Sequence, residues 1–447
     1  MNFLEKTCRA ICCIAFILTI STNGEQKDEK WEKSLNSVQI VYQNGVPHTD
    51  SKGQMLRHYD NARSFFPIGI YHALDKDSGS GVNGFNDLKK AGFNYCHFWE
   101  GLSSVETVRA IGAAGLQAIV HHPTIETVST LKDNPAVLAW YLDEEPTGSY
   151  WEKDMEGKFK AFQDKYKKIK EIDPKHPVFI LDCAWITPPA TQWWAKWNSA
   201  GDITAHDNYP IPSSDKPVRG SLSFDQGIPE TVSLAVSLSK EEKPMWFCSQ
   251  AHSVKSTHFG LSIPTPAQER AMVYTALIHG ATGIIYFGLD SFVLRSGDCV
   301  GIAPEPPEKY NRGIKASKLQ REMAKKLWSG IIQLNTELSI LAPSILSSTS
   351  KMDYEVFLNS KWKPISSNPI RTLLKNNPNG GMTLLLVNID NTEQLVKIKF
   401  PKVKRLSAID VFSKNACDMT DGSNEFELYC PAFDARAISI EIKELNK

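Results

Sequence analysis

The sequence predicts an α/β fold: a (β/α)8 TIM barrel followed by a C-terminal antiparallel β-sandwich domain. Eight apolar runs of strand length recur between residues 65 and 287, with amphipathic helical stretches between most of them. The runs are continuously apolar rather than alternating, as strands buried on both faces of a parallel sheet are. Beyond Pro343 the helical period stops, and short β-rich runs alternate with turn clusters. Eight strand–helix units in about 230 residues fit a closed barrel. A doubly wound open sheet is the alternative. It usually carries fewer strands and a nucleotide loop after the first one, and neither is seen in this sequence.

In chain order the runs are Phe65–Tyr71, Phe93–Glu100, Leu116–His122 and Val137–Leu142, then Pro177–Asp182, Asp202–Asp207, Pro244–Ser249 and Thr282–Phe287. Among the helices, Ser104–Ala114 stops at Gly115, a suitable C-cap. Trp151–Ile172 is long and Lys-rich. Pro266–His279 places Pro at its start and Gly280 just past its end. A helix from Lys315 to about Leu341 closes the barrel. The sandwich is read from Thr383–Asn388, Gln394–Phe400 and Ala437–Ile442. Upstream, Val38–Tyr42 with Asn44-Gly45 signals a hairpin. The expected divisions are a signal peptide at 1–24, an N-terminal cap or hairpin at 25–61, the barrel at 62–341 and the sandwich at 342–447.

Composition excludes several function classes. Lys+Arg and Asp+Glu are both 50, so nothing in the charge points to nucleic acid or an anionic membrane. No Cys/His spacing suggests a metal site, and no glycine-rich phosphate loop precedes a helix, so neither metal nor cofactor is expected. Lys6 and Arg9 flank the apolar run Ala10–Ile20, with small residues up to Gly24. This reads as a secretory leader and predicts a secreted or periplasmic protein, a retained signal anchor being the alternative. No other segment reads as a membrane span. Outside the leader, Cys96, Cys183 and Cys248 lie in apolar strand-like runs and read as buried thiols. Cys417 and Cys430 are close in a β-rich region and are the disulfide candidate.

The run Val137–Leu142 ends abruptly in Asp143-Glu144-Glu145-Pro146. Carboxylates crowded at the tip of a buried strand repel each other and lose hydration, an arrangement better explained by chemistry than by stability. Barrel enzymes carry their sites at the C-terminal ends of the strands. Those ends supply Tyr71, then Trp99 and Glu100, then His121, then Asp143, Glu144 and Glu145. Trp185 follows the fifth strand, Asp207 and Tyr209 the sixth, Gln250 the seventh and Tyr286 the eighth. A ring of carboxylates and aromatic faces, with no serine elbow or reactive lysine, suits glycosidic bond cleavage. Alternation predicts that Asp143 and Glu145 share one orientation and Glu144 takes the other. By contrast, Trp193, Trp194 and Trp197 form one apolar helix face and read as packing.

Trp140-Tyr-Leu-Asp-Glu-Glu-Pro146 resembles the Asn-Glu-Pro signature of the clan A glycoside hydrolases, and more closely the (Asp/Glu)-Glu-Pro variant of secreted barrels in that superfamily. Asp202-Ile203 with Asp207-Asn-Tyr-Pro210, Pro244-Met-Trp246 with Gln250-Ala251, and Pro264-Thr-Pro266 with Arg270, Met272 and Gly280–Ile284 extend the resemblance over roughly residues 62–340. It implies that Glu145 is the general acid/base, its pKa raised by its neighbours. One departure stands out. Retaining members carry a nucleophilic Glu at the end of strand seven, where this chain has Gln250. Three readings follow. Asp207, or less readily Glu100, activates water in an inverting reaction; the substrate's own 2-acetamido group acts; or the barrel binds sugar without cleaving it. The expected function is therefore hydrolysis of an extracellular glycan by Glu145 and Asp207, the alternative being an inactive carbohydrate-binding barrel. Tyr71, Trp99, Glu100, His121, Asp143, Glu144, Trp185, Tyr209, Gln250 and Tyr286 are the expected substrate contacts, an oligo- or polysaccharide the partner, and a monomer the expected state.

Overall fold

A computed structural model describes residues 31–446 except 34–40, 43–44, 51, 57–63, 74–83, 99–104, 150–153, 185–188, 214–226, 240–241, 257–259, 295–296, 304–315, 360–368 and 420–422. The proposed leader, the run Val38–Ile40 and Asn44 of the proposed hairpin lie outside the described residues.

Eight strands close into one parallel barrel: β1 (Ile68–Ile70), β2 (Tyr95–His97), β3 (Gln117–His121), β4 (Val137–Glu144), β5 (Val178–Cys183), β6 (Ile203–Asn208), β7 (Met245–Gln250) and β8 (Gly283–Phe287). Each pairs with its sequence neighbours, and β8 pairs back onto β1 through Ile284–Ile68 and Tyr286–Ile70. The helices are α1 (Gly84–Lys90), α2 (Val105–Ala113), α3 (Ile125–Leu131), α4 (Met155–Ile172), α5 (Ala190–Asn198), α6 (Ile228–Leu238), α7 (Pro266–Ile278) and α8 (Lys318–Ile345).

The barrel interior is filled by rings. Tyr71, Tyr95, Tyr141, Phe179 and Trp246 pack there with Ile119, Leu181 and Ile285. Two glycines make the room. A Cβ on Gly69 would stand 2.1 Å from the Tyr95 ring, and one on Gly283 would stand 2.6 Å from Trp246. Small residues on β1 and β8 are thus the counterpart of bulky ones on β2 and β7, as a close-packed interior requires. Outside the strands, Trp194 and Trp197 of α5 are fully buried, so the tryptophan face is packing.

Side-chain caps set several helix starts. Thr265 and Gln268 form a capping box on α7, and Ser317 and Gln320 do the same on α8. The α8 box places the helix start at Lys318 rather than Lys315. Its end is also later than expected, because α8 runs through Pro343 to Ile345. A proline in the last turn removes one hydrogen bond, while buried Leu341 and Ile345 hold that turn against the core.

The C-terminal region is two antiparallel sheets. One orders Ile370–Asn376, Met382–Asn388, Ala435–Leu445 and Val403–Asp410. The other orders Trp31–Lys33, Glu355–Asn359, Gln394–Lys399, Glu425–Cys430 and Asp418–Met419. Their inner faces share one core, with Leu358, Val396, Ile398 and Phe426 from one sheet against Leu374, Leu384, Leu386 and Ile438 from the other. The short Trp31–Lys33 strand, from the segment read as an N-terminal cap, pairs with Glu355–Asn359 of this region. The described hairpin of the cap joins His48–Thr49 to Met55–Leu56.

The expected Cys417–Cys430 disulfide is not formed. Asp418 pairs with Glu427, and extending that register sets Cys417 opposite Leu428. A cysteine two residues along the partner strand is a diagonal neighbour, about 7–8 Å away, beyond disulfide reach. Among the described residues no helix is long and apolar enough to cross a membrane.

Candidate active site

A one-residue bulge decides how the acidic tip of β4 is presented. Tyr141 pairs with Phe179, but the next ladder partner, Ile180, faces Asp143, so Leu142 is the extra residue. The bulge inverts the alternation beyond it. Glu144 enters the lumen, where its charge acts on Tyr71, Tyr141 and Cys248. Asp143 falls among His122, Lys165 and Lys158 instead. The expected pairing of Asp143 with Glu145 on one face is therefore overturned, since alternation was counted without the bulge.

Glu145, the first residue past the strand, has φ +45°. Left-handed backbone at a non-glycine residue is uncommon and gathers at functional sites. Its N–H donates to the Leu181 carbonyl at 2.8 Å, and its own carbonyl accepts from Gly148 at 2.9 Å, starting a 3-10 turn at Pro146–Ser149. Asp182 pins that turn, its Oδ1 accepting from the Thr147 N–H at 3.0 Å and hydroxyl at 2.8 Å. The side chain of Glu145 is left exposed at the barrel mouth.

Opposite it stands Asp207, at the end of β6 and 6% exposed. The carboxyls of Glu145 and Asp207 meet by a side-chain hydrogen bond, and Tyr209 also bonds to Asp207. Cys183, the last residue of β5, completes the group: ligand atoms of Glu145, Cys183 and Asp207 all lie within 4.8 Å of one another. Register explains the convergence, because Cys183 pairs with Asp207 across β5 and β6. Burial first, then the Glu145 charge, raises the Asp207 carboxyl well above the usual carboxylate range. Burial and the same carboxylates push the Cys183 thiol up. Cys183 is partly exposed at the mouth, so its reading as a buried strand thiol is corrected.

The crowding expected to lift an acid is also visible at Glu144. Burial, then Glu145 and Asp143, raises it to about 8. His121 Nε2 lies 3.5 Å from Glu144 Oε2, and burial lowers His121 to about 3. Near neutral pH both partners are uncharged, so this contact is not an ion pair. Tyr71 lies beneath, fully buried, its hydroxyl donating to the Tyr141 hydroxyl at 2.6 Å. His72 and His97 join the same aromatic floor, with His97 and Tyr71 ring centroids 4.1 Å apart.

Two expected contacts are placed elsewhere. Gln250 is fully buried, and its amide clasps backbone: Oε1 accepts from Ile211 N at 2.9 Å, while Nε2 donates to the carbonyls of Ser262 at 2.8 Å and Ile211 at 3.1 Å. It holds the loops after β6 and β7 and has no group left for a substrate. Tyr286 points outward, away from the lumen, and donates to Asn335 of α8 at 3.1 Å. Trp99, Glu100 and Trp185 lie outside the described residues. Sequence reasoning missed Cys183 and Asp182 as members of the site. The available signal was their position at the end of the fifth run, where Asp182 was noted only as a strand end and Cys183 read as apolar filler.

No family profile matches the chain. No curated protein matches it in sequence. Solved structures do match in shape. A family 5 glycoside hydrolase from Bacteroides vulgatus is similar at TM-score 0.53 and 11% identity, over 92% of this chain and 96% of that one. A family 42 β-galactosidase from G. stearothermophilus is similar at TM-score 0.52 and 9% identity, over 86% of this chain and 98% of that one. The chain spans 59% of a β-galactosidase from the haloarchaeon Halorubrum lacusprofundi, matched at TM-score 0.44 and 13% identity. With its acids at the strand ends of a closed eight-stranded barrel, the chain has the fold of the clan A glycoside hydrolases.

Proposed function

We propose that the protein is a glycoside hydrolase acting on an extracellular oligo- or polysaccharide, with Glu145 and Asp207 as its catalytic pair. The observation that carries this is the meeting of the two carboxyls at the barrel mouth, one exposed and one buried. Their contact is shorter than the roughly 6.5–9.5 Å that leaves room for a water in inverting enzymes, and nearer the roughly 5–5.5 Å of retaining ones. That closeness supports a retaining over an inverting reaction. Burial favours the neutral form of Asp207, which makes it the proton donor to the leaving oxygen. Glu145, facing solvent, is the carboxylate that approaches the anomeric carbon. These roles reverse the assignment expected from the strand-four motif. Tyr209 orients Asp207 through their hydrogen bond. A screen of the mature protein against aryl glycosides and polysaccharides tests the proposal. Glu145→Gln and Asp207→Asn should each lower turnover by about a hundred- to ten-thousand-fold. Product release by both variants at the wild-type rate would sink the assignment.

A carbohydrate-binding barrel without hydrolysis is the second reading. It is favoured by Gln250, whose amide is committed to backbone at the position where retaining relatives carry their nucleophile. Saturable glycan binding with no product from any substrate would support it over hydrolysis.

A further inference from the structure

The Lys-rich helix α4 lies against the acidic tip of β4, and the proposed bond cleavage gives it no part. Along Met155–Ile172 it carries Lys158, Lys160, Lys165, Lys167, Lys168 and Lys170 against Glu156, Asp164 and Glu171. Lys170 is engaged in the fold, 3.3 Å from Asp202 and donating to the His176 carbonyl at 3.0 Å. Lys158 and Lys165 are placed differently. Seven residues make nearly two turns, so the two share one face of the helix. Both line a cavity of about 450 Å³ together with Asp143, Glu144 and Glu145, a size usual for small-ligand sites. Lys160 and Lys167 fall on the opposite, exposed side of the helix. The field in the cavity is less negative than its row of acids suggests. Glu144, held up to about 8, is neutral near pH 7. The Glu145 carboxyl is hydrogen-bonded to Asp207. Asp143 is raised by burial and pulled back by His122, Lys165 and Lys158. The Lys165 charge reaches further, acting on His121 in the lumen.

We propose that the glycan this barrel takes is anionic, its carboxylate or sulfate groups held in the cavity by Lys158 and Lys165. The proposal rests on the reading of the mouth as a glycan site, and not on hydrolysis. Glu145 lines the cavity and also meets Asp207, so a chain crossing the acidic pair has its neighbouring units beside the two ammonium groups. Lys158 and Lys165 are rooted roughly 10 Å apart along α4, a spacing that suits successive charges of a chain better than a single point charge. An ammonium is a compact charge with three donors and meets a carboxylate or a sulfate equally. Neutral Glu144 supplies a further donor on the same wall, since a protonated carboxyl can give a hydrogen bond to an anion. A neutral sugar would leave both ammonium groups to water and to Asp143. The bulge in β4 matters here as well. By sending Glu144 into the lumen it leaves Asp143 on the side of Lys158 and Lys165, where it holds the two lysines at the wall.

The test is binding, measured by titration calorimetry on the full chain carrying Asp207→Asn, so that turnover does not consume the ligand, with wild type in parallel. The probes are oligogalacturonate and oligoglucuronate, the same oligosaccharides with their carboxyls reduced to alcohols, and dextran sulfate beside dextran. At least one anionic probe should bind about tenfold or more tightly than its neutral counterpart, and the difference should shrink as salt rises. Lys158→Gln and Lys165→Gln should each weaken that probe by about three- to fivefold, while Lys165→Arg keeps most of the affinity. Lys160→Gln and Lys167→Gln, on the opposite side of the same helix, should change nothing. Circular dichroism establishes that each variant is folded. Equal affinity within every charged and neutral pair, or no binding in any of them, overturns the proposal. So does an equal loss from Lys160→Gln and Lys167→Gln, or binding of single-stranded DNA as tight as that of the glycan, since either marks diffuse attraction. Anionic binding without product from wild type leaves the proposal standing and sinks hydrolysis. Turnover of neutral glycans alone, lost in Glu145→Gln, does the reverse.

Discussion

The tips of β4 and β7 carry polar side chains at the same end of the same barrel, yet they are built on opposite principles. At β7, every polar atom of Gln250 is matched by a backbone group, and the residue is sealed from water. At β4, Glu144 and Glu145 stand beside like charges, one lifted to about 8 and the other exposed in a left-handed turn. A satisfied buried amide stabilises the loops it ties. Crowded acids with few compensating donors cost stability and persist where something is gained from their reactivity. Polarity at a barrel mouth is therefore not by itself a sign of function, and satisfaction of the polar atoms separates the two cases.

Substitutions at the two tips should fail in different ways. The largest expected effect is Glu145→Gln: turnover falls by about 3–5 kcal/mol in transition-state terms, while chemical denaturation gives a midpoint equal to or above wild type. A Glu145→Gln protein that is strongly destabilised would erase the contrast. Gln250→Leu should do the reverse. It strands the Ile211 N–H and the Ser262 carbonyl in the interior, for about 2–5 kcal/mol lost in urea unfolding, with turnover per folded molecule retained. If instead KM rises with stability unchanged, Gln250 contacts substrate after all.

Behind β7 sits a case that sharpens the comparison. Glu269 of α7 is fully buried against Ser249 and is raised by burial to about 8. An acid whose folded pKa exceeds its unfolded one stabilises most below the unfolded value, and that contribution is lost as pH rises toward the folded value. Unfolding free energy should thus drop by roughly 3 kcal/mol between about pH 4.5 and 7.5 on account of this group. Glu269→Gln should flatten that part of the stability–pH curve, and an unchanged slope would contradict the burial. The smallest expected effect is at the shared floor. Gly69→Ala drives a methyl into the Tyr95 ring, for about 1–3 kcal/mol of overpacking, with activity following folded fraction; a neutral result in thermal melts would mean that the floor yields.

The barrel was legible because it is written in local pattern. All eight apolar runs became strands, and the helix ends at Gly115 and Gly280 follow from their residues. The site was legible only in part. Glu145 and Asp207 meet at the mouth, whereas Glu144 and Asp143 exchanged faces through a bulge that depends on how β5 lies beside β4. Tyr286 and Gln250 were misread because outward and inward positions near strand ends look alike in sequence. Their partners, Asn335 and the Ile211 and Ser262 backbone, are distant or carry no side-chain signal. The pairing of Trp31–Lys33 with Glu355–Asn359 was invisible for the same reason.

That last pairing gives the chain an unusual circuit. Lys33 lies across from Phe357, so the whole barrel is threaded between two adjacent strands of one small sheet. Closing so long a loop is entropically slow and gains little until the barrel itself has folded. During synthesis the Trp31–Lys33 strand must wait for a partner made more than three hundred residues later. If it never docks, Glu355–Asn359 becomes the bare edge of its sheet, a row of unpaired backbone groups open to another chain. The short strand is in this sense a latch that reports completed folding, and its loss would show first as association between molecules rather than as damage to the barrel mouth.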